Sequence, residues 1–341
     1  MTKHVVAIFG IGRIGQVHLK NLVNCNRVVV KWIVDAGCMK EKAHGLIDQL
    51  RLQGETTFVE IEKSDKVFAN DEVEAVFVCV PTSFHAEIAI KALNAGKHVF
   101  CEKPLAATLQ EVKECYETAK KNNKTLMCAV NRRFDPQFNG IYQMKNEGKL
   151  GKIRIIKMTG SDMGNTEEYY KNNPGGIFMD MGIHDVDYIC WLAGEKPSSV
   201  YATGCRCGTS AEMYARVGEY DTASAIFTFP SGISAHLELS RECGYGYGQN
   251  VEVLGTKSLI RSHDLKETEL ERVTKEGHHL DAVVECFTTR FEKSFQAEIH
   301  HFLDVIEGKC ECLVSPESYI ISTEVVIALT ESLDNGDVIK F

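Results

Sequence analysis

Gly10-Ile11-Gly12-Arg13-Ile14-Gly15 stands directly behind an apolar run at 5–9 and opens a helical stretch reaching Val23. Few local patterns restrict a chain as much as this one, because each glycine has its own task. The first permits a tight turn, the second lets a pyrophosphate approach the backbone, and the third allows close helix–strand packing. The helix start adds amide donors and a favourable dipole for an anion. Three glycines at this spacing also occur in ordinary turns, so a second signal is needed. It comes from Asp35, which ends another apolar run (28–34) 20 residues beyond Gly15. A carboxylate there accepts from ribose hydroxyls and repels a 2′-phosphate. Gly10, Gly12, Arg13, Ile14, Gly15 and Asp35 are therefore expected to hold a dinucleotide, NAD in preference to NADP. Lys40 and Lys42 lie downstream and act against that preference.

The same alternation continues. Apolar runs at 75–80, 98–101 and 125–130 are separated by helical stretches at 85–94 and after Thr108, with a further helix expected over 43–52. The unbroken apolar run at 75–80 suits a parallel strand covered on both faces. Gly96 is placed to end one helix, and Thr108 with Glu111 forms a capping box at the start of the next. A parallel, doubly wound α/β sheet is expected over residues 1–130. Beyond residue 131 the period changes to two. Ile233, Ala235, Leu237 and Leu239 share one face, while Ser234, His236, Glu238 and Ser240 share the other. Segments 223–229 and 153–158 behave similarly, and 297–306 and 317–332 have helical periodicity. An α+β domain with a large, mostly antiparallel open sheet is expected over 131–341.

Composition narrows the classes. With 341 residues and 44% hydrophobic content, two domains with real cores are expected. Lys+Arg 38 against Asp+Glu 47 gives a charge of −9, which disfavours a nucleic-acid partner. No apolar run approaches the ~18 residues of a membrane span. Thirteen cysteines without a secretory leader point to reduced thiols and the cytoplasm. Cys205-Arg206-Cys207 and Cys310-Glu311-Cys312 lack a matching partner pair, and the adjacent histidines 278–279 and 300–301 diverge, so no metal site is expected.

Cys101-Glu102-Lys103-Pro104-Leu105-Ala106, preceded by Ala92-Leu93-Asn94-Ala95-Gly96-Lys97-His98-Val99, resembles the Gfo/Idh/MocA oxidoreductase superfamily. Gly12-Arg13-Ile14-Gly15-Gln16-Val17-His18, Asn131-Arg132-Arg133-Phe134-Asp135 and Tyr245-Gly246-Tyr247-Gly248 are similar to its inositol-dehydrogenase branch. The most specific match is Gly175-Gly176-Ile177-Phe178-Met179-Asp180-Met181-Gly182-Ile183-His184-Asp185. The resemblance runs along nearly the whole chain, in order. It implies a Rossmann domain followed by a substrate-binding and oligomerisation domain, pairing of copies through the open sheet face, and NAD-dependent oxidation of a cyclic polyol or sugar. Inositol is the best single substrate, with myo-inositol going to scyllo-inosose.

Such a reaction needs a base for the hydroxyl proton and a group that stabilises developing alkoxide character. A neutral histidine suits the first task. Asp180 and His184 lie four apart, which on a helix puts both on one face. From spacing alone such a pair is as readily a surface or capping contact; the resemblance implies that both are catalytic. It likewise assigns Lys103 to the reaction centre, Glu102 and Lys103 to the cofactor side, and Lys103, Arg132, Asp162, Asp180, His184 and Tyr247 to the substrate. A cis Lys103–Pro104 peptide is expected. For Arg132 a structural ion pair remains an alternative, and for Tyr247 an ordinary core aromatic. Gly160-Ser161-Asp162-Met163 departs from the Ser-Arg-Asp-Pro pattern of the inositol branch, which leaves the substrate open. Another sugar oxidoreductase, an NAD-recycling glycosidase and a non-catalytic dinucleotide sensor are the competing functions.

Overall fold

The computed structural model describes residues 3–172 and 175–341. The chain divides into two compact units, Met1–Val130 with Phe295–Ile320, and Asn131–Ser294 with Ile321–Phe341. In the first unit, β1 (His4–Phe9), β2 (Val28–Asp35), β3 (Thr57–Glu60), β4 (Ala75–Val78), β5 (His98–Glu102) and β6 (Leu126–Ala129) form one sheet in the order β3-β2-β1-β4-β5-β6. Every neighbouring pair is parallel. Strand order reverses between β1 and β4, and in open α/β sheets that switch point is where ligands bind. All four residues of β4 are fully buried, which explains its unbroken apolar run. The capping box is present: Glu111 N–H donates to Thr108 Oγ1 at 3.2 Å, and Thr108 N–H to Glu111 Oε2 at 2.9 Å. The helix expected over 43–52 runs earlier, Lys40–Gln49, because the 3-10 turn Gly37–Met39 leads directly into it.

Residues 295–320 belong with the parallel sheet rather than with the segment around them in sequence. The helix Glu292–Ile306 carries Phe295, Ile299, Phe302 and Leu303 on one buried stripe. Phe302 packs edge-on against Phe77 and Phe100, with ring centres 5.5 and 5.7 Å apart. Phe295 meets His18 at 5.8 Å, and Arg27 pairs with Asp304 at 2.8 Å and Glu307 at 2.7 Å. Periodicity shows that this helix has an apolar face but cannot say which sheet covers it.

The second unit is built on β7 (Ile153–Ser161), β8 (Ser199–Cys205), β9 (Thr222–Thr228), β10 (Ser234–Ser240), β11 (Gln249–Gly255), β12 (Leu259–Arg261) and β15 (Ile339–Lys340). Their order is β12-β11-β7-β10-β9-β8-β15, while β13 (Glu271–Thr274) and β14 (Gly277–Leu280) form a separate hairpin. Only β7 and β10 pair in parallel; the other neighbours in the large sheet are antiparallel. Along β10, Ala235, Leu237 and Leu239 are buried while His236 and Glu238 are exposed, as the period of two requires. The helix Ile183–Ala193 and the turn before it lie close over the buried face. A Cβ on Gly182 would come within 2.9 Å of Leu239. All 13 cysteines are free thiols, seven of them buried. No described helix is long and apolar enough to cross a membrane.

Phe302→Ala should cost about 3–5 kcal/mol, the usual range for emptying a buried aromatic site. Chemical denaturation read through the first unit's own signal checks this; a loss below about 1 kcal/mol would separate residues 295–320 from that core.

Candidate active site

The glycine turn sits at the carboxyl end of β1. Gly10 has φ +89°, and a Cβ there would lie 2.5 Å from the Cys79 carbonyl oxygen just past β4. A Cβ on Gly15 would lie 2.1 Å from the Gly10 oxygen, so the helix Arg13–Asn24 can seat itself only because Gly15 has none. Gly12 differs from both: a Cβ there meets nothing within 4 Å. Gly12 is also the helix N-cap, and no side chain caps that end. The turn is thus tight on the protein side and open on the other, with leading helix amides left for an anion. Arg13 is exposed and Ile14 half-buried beside it. Asp35, at the end of β2, accepts the Ile11 N–H on Oδ2 at 2.7 Å and the Ala36 N–H on Oδ1 at 2.7 Å. It therefore anchors the glycine turn. These residues fit a dinucleotide.

β5 delivers Glu102 and Lys103. Glu102 is buried; its Oε1 lies 2.6 Å from His18 Nε2, and its Oε2 accepts the Lys103 N–H at 3.1 Å. Lys103 is half-buried, and the Lys103–Pro104 peptide is cis, as expected. Two further groups here escape motif reasoning. Glu298 is fully buried, 3.9 Å from His18 Nε2, with no hydrogen-bond partner for either oxygen among the described residues. Burial, reinforced by the Glu102 charge, holds its carboxyl well above the usual carboxylate range. His85 is also buried, and its ring contacts Pro104 O at 2.8 Å and Val80 O at 2.7 Å, tying together the loops that follow β4 and β5. Burial lowers its pKa.

In the second unit, two sequence motifs prove to be halves of one array. Asn131-Arg132-Arg133-Phe134-Asp135 faces the helix that contains Asp185 and Asp187. Arg132 Nε donates to Asp185 Oδ1 at 3.0 Å, and Arg133 grips Asp187 with Nε at 2.8 Å and Nη2 at 2.6 Å. Both aspartates are fully buried. Asp135 caps the helix Pro136–Asn146 through the Gln137 and Phe138 amides and pairs with Arg290 at 2.7 Å. Arg132 is 2% exposed, donates also to Gln249 Oε1 at 2.5 Å, and lies over the Phe291 ring at 4.5 Å. For Arg132 this is the structural ion pair that spacing left open.

Asp180 and His184 lie on one continuous helical stretch that changes pitch between them. Phe178–Gly182 is a π turn, and the α-helix begins only at Ile183. The Asp180 carboxylate accepts Tyr169 Oη–H at 2.9 Å and Arg241 Nη2–H at 3.0 Å. Arg241 is 2% exposed and also pairs with Glu219 at 2.7 Å. Arg241, Glu219 and Tyr169 carry no motif and sit far from Asp180 in sequence, so nothing in the spacing reveals them. His184 is half-buried in the first turn of the helix.

Tyr247 is 7% exposed and lies close enough to Arg132 to feel its charge. Burial first, and the charges of Asp162 and Asp185 after it, push its phenol up to about 12 against the opposing pull of Arg132. Asp162 is half-buried; its Oδ1 accepts the Met163 N–H at 2.7 Å, and its backbone joins Ser240 and Cys243. Arg132 and Asp185 are ion-paired, and Tyr247 lies within reach of their charges and that of Asp162.

Residues 5–130 match the family model described as an oxidoreductase family with an NAD-binding Rossmann fold, and 138–261 match the GFO/IDH/MocA C-terminal domain. The chain is 33% identical over 337 residues to an uncharacterized oxidoreductase of Bacillus subtilis, covering 98% of this chain and 96% of the relative. It is 31% identical to the myo-inositol 2-dehydrogenase of Thermotoga maritima, with 98% of each chain covered. Among solved structures, the scyllo-inositol dehydrogenase of Lactobacillus casei with bound NAD(H) and scyllo-inositol superposes with a TM-score of 0.89 at 25% identity, over 99% of both chains.

The buried Glu298 has a consequence for stability. The folded state keeps its proton where the unfolded chain, near 4.5, has released it, so this group's contribution falls as pH rises above that value. Glu298→Gln should therefore gain in Tm over the wild type progressively as pH rises above about 5. Parallel Tm curves for the two proteins would mean that Glu298 titrates normally in the folded state.

Proposed function

The chain belongs to the GFO/IDH/MocA oxidoreductase family and uses NAD, and from that premise we propose that it oxidises a secondary hydroxyl of a cyclic polyol, with myo-inositol going to scyllo-inosose. What carries this proposal is the chain-long likeness to inositol dehydrogenases, together with the motif residues that such a reaction needs. Gly10, Gly12, Arg13, Ile14, Gly15 and Asp35 would hold the dinucleotide, with Glu102 supporting it from the end of β5. NAD, when bound, accepts a hydride from the carbinol carbon. His184 takes the hydroxyl proton as general base. The Lys103 ammonium donates to the same oxygen and favours its alkoxide-like form. Asp180, held by Tyr169 and Arg241, supplies a fixed negative charge that favours the imidazolium formed at His184 and accepts from substrate hydroxyls. Tyr247, whose phenol burial keeps protonated, donates to a substrate hydroxyl. Asp162 accepts from another hydroxyl.

Lys103→Ala and His184→Ala should each lower kcat by about 10²–10⁴-fold while NAD binding, read by fluorescence titration, stays near wild type. Near-wild-type turnover in either variant would remove that residue from the chemistry. Asp35→Ser should relax the preference for NAD over NADP; an unchanged ratio of kcat/KM for the two would place the discrimination elsewhere. Initial rates of NADH formation with myo- and scyllo-inositol, glucose, galactose and xylose test the substrate. Oxidation of an aldose and of neither inositol would overturn the polyol assignment, and turnover without free NADH would indicate a cofactor-recycling reaction.

A further inference from the structure

Cys205 closes β8, and Asp221 immediately precedes β9, the strand that pairs with β8 so that Cys205 faces Thr222. Cys207 lies two residues beyond, with its sulfur 3.2 Å from that of Cys205. The two sulfurs and a carboxylate oxygen of Asp221 all lie within 4.8 Å of one another. The cysteines are exposed, whereas Asp221 is fully buried. Asp221 Oδ2 accepts the Gly208 N–H at 2.9 Å, but Oδ1 is buried without any hydrogen-bond partner among the described residues. An unsatisfied buried carboxylate oxygen is costly, so a missing positive partner is implied. The nearby arginine does not serve: Arg206 Nε donates to the Glu219 carbonyl at 2.5 Å, and its guanidinium stacks on Tyr220 at 4.0 Å.

We propose that Cys205, Cys207 and Asp221 form a binding site for a thiophilic divalent cation such as zinc, with the fourth position taken by water. Two soft sulfurs and one carboxylate suit such an ion, and its charge satisfies Asp221 Oδ1. Zn–S bonds of about 2.3 Å at a tetrahedral angle set the sulfurs about 3.8 Å apart, a small opening that exposed side chains make by rotating about χ1. Each thiol gives up one proton to solvent on binding, and no electron transfer is involved. Cys-x-Cys alone has no matching pair in the sequence; the third ligand is supplied by strand pairing from 14 residues beyond Cys207.

The test uses the full chain, reduced, stripped with a chelator and titrated with Co²⁺ and then Zn²⁺ without oxygen. One equivalent of Co²⁺ should bind with thiolate charge-transfer absorption and tetrahedral visible bands, with about two protons released. Zn²⁺ should displace it and raise Tm. Cys205→Ser and Cys207→Ser should each weaken binding more than about tenfold. Asp221→Asn, which retains an acceptor for Gly208, should weaken binding while keeping the thiolate absorption. Circular dichroism confirms that each variant is folded. The proposal fails if the reduced protein takes up no stoichiometric Co²⁺, or if the double cysteine variant binds as the wild type does. It fails also if a Cys205–Cys207 disulfide persists under thiol reductant, shown by the mass of the protein.

Discussion

Two buried ion pairs, Arg132–Asp185 and Arg133–Asp187, fix the placement of the helix Ile183–Ala193 within its unit. Burying four charges is expensive, and the attraction offsets that cost only with good geometry and full hydrogen bonding. The Arg133–Asp187 pair comes nearest to both. Arg133 binds Asp187 through two nitrogens, Ser322 Oγ donates to the same carboxylate at 2.9 Å, and Arg132 is stacked on Phe291 and bonded to Gln249. Asp185 and Asp187 project roughly 200° apart around the helix, so adjacent arginines grip it from two sides. A helix held in this way cannot roll, and the phase of His184, next to Asp185, is set by those pairs. Removing one partner would cost about 3–5 kcal/mol, because the other charge is left buried and alone.

In the first unit a single carboxylate does two things at once. Asp35 uses one lone pair on each oxygen to hold the Ile11 and Ala36 amides, and a carboxylate has about four acceptor sites. Capacity remains for ribose hydroxyls, while the negative charge stays in place against a 2′-phosphate. Because the same group anchors the glycine turn, the cofactor choice proposed for Asp35 would be linked to turn geometry in one residue.

Elements whose signal is local were legible in the sequence. The glycine turn, the buried β4 run, the Thr108 capping box and the alternation along β10 depend on near neighbours and fall where periodicity puts them. Features that depend on partners distant in sequence were not. The helix Glu292–Ile306 reads as amphipathic, yet its sheet lies some 200 residues earlier in the chain. Arg241 at Asp180 and Glu298 near His18 belong to no motif, because the contact is made by folding alone. The π turn at Phe178–Gly182 is invisible for a related reason: helical spacing counts residues and assumes the pitch.

The commitment of Arg132 to Asp185 and Gln249 changes how a polyol can be recognised by this cluster. A guanidinium only donates, whereas a ring of hydroxyls presents donors and acceptors alternately. A phenol can do both, and burial keeps the Tyr247 hydroxyl protonated throughout the neutral range. In the proposed function the protonated phenol would present a donor to the substrate without adding a buried charge there. Asp162 and Asp180 would provide the complementary acceptors in that function. A neutral donor between fixed carboxylates discriminates hydroxyl orientation by leaving a buried group unpaired in the wrong stereoisomer, a penalty larger than the net value of any one hydrogen bond.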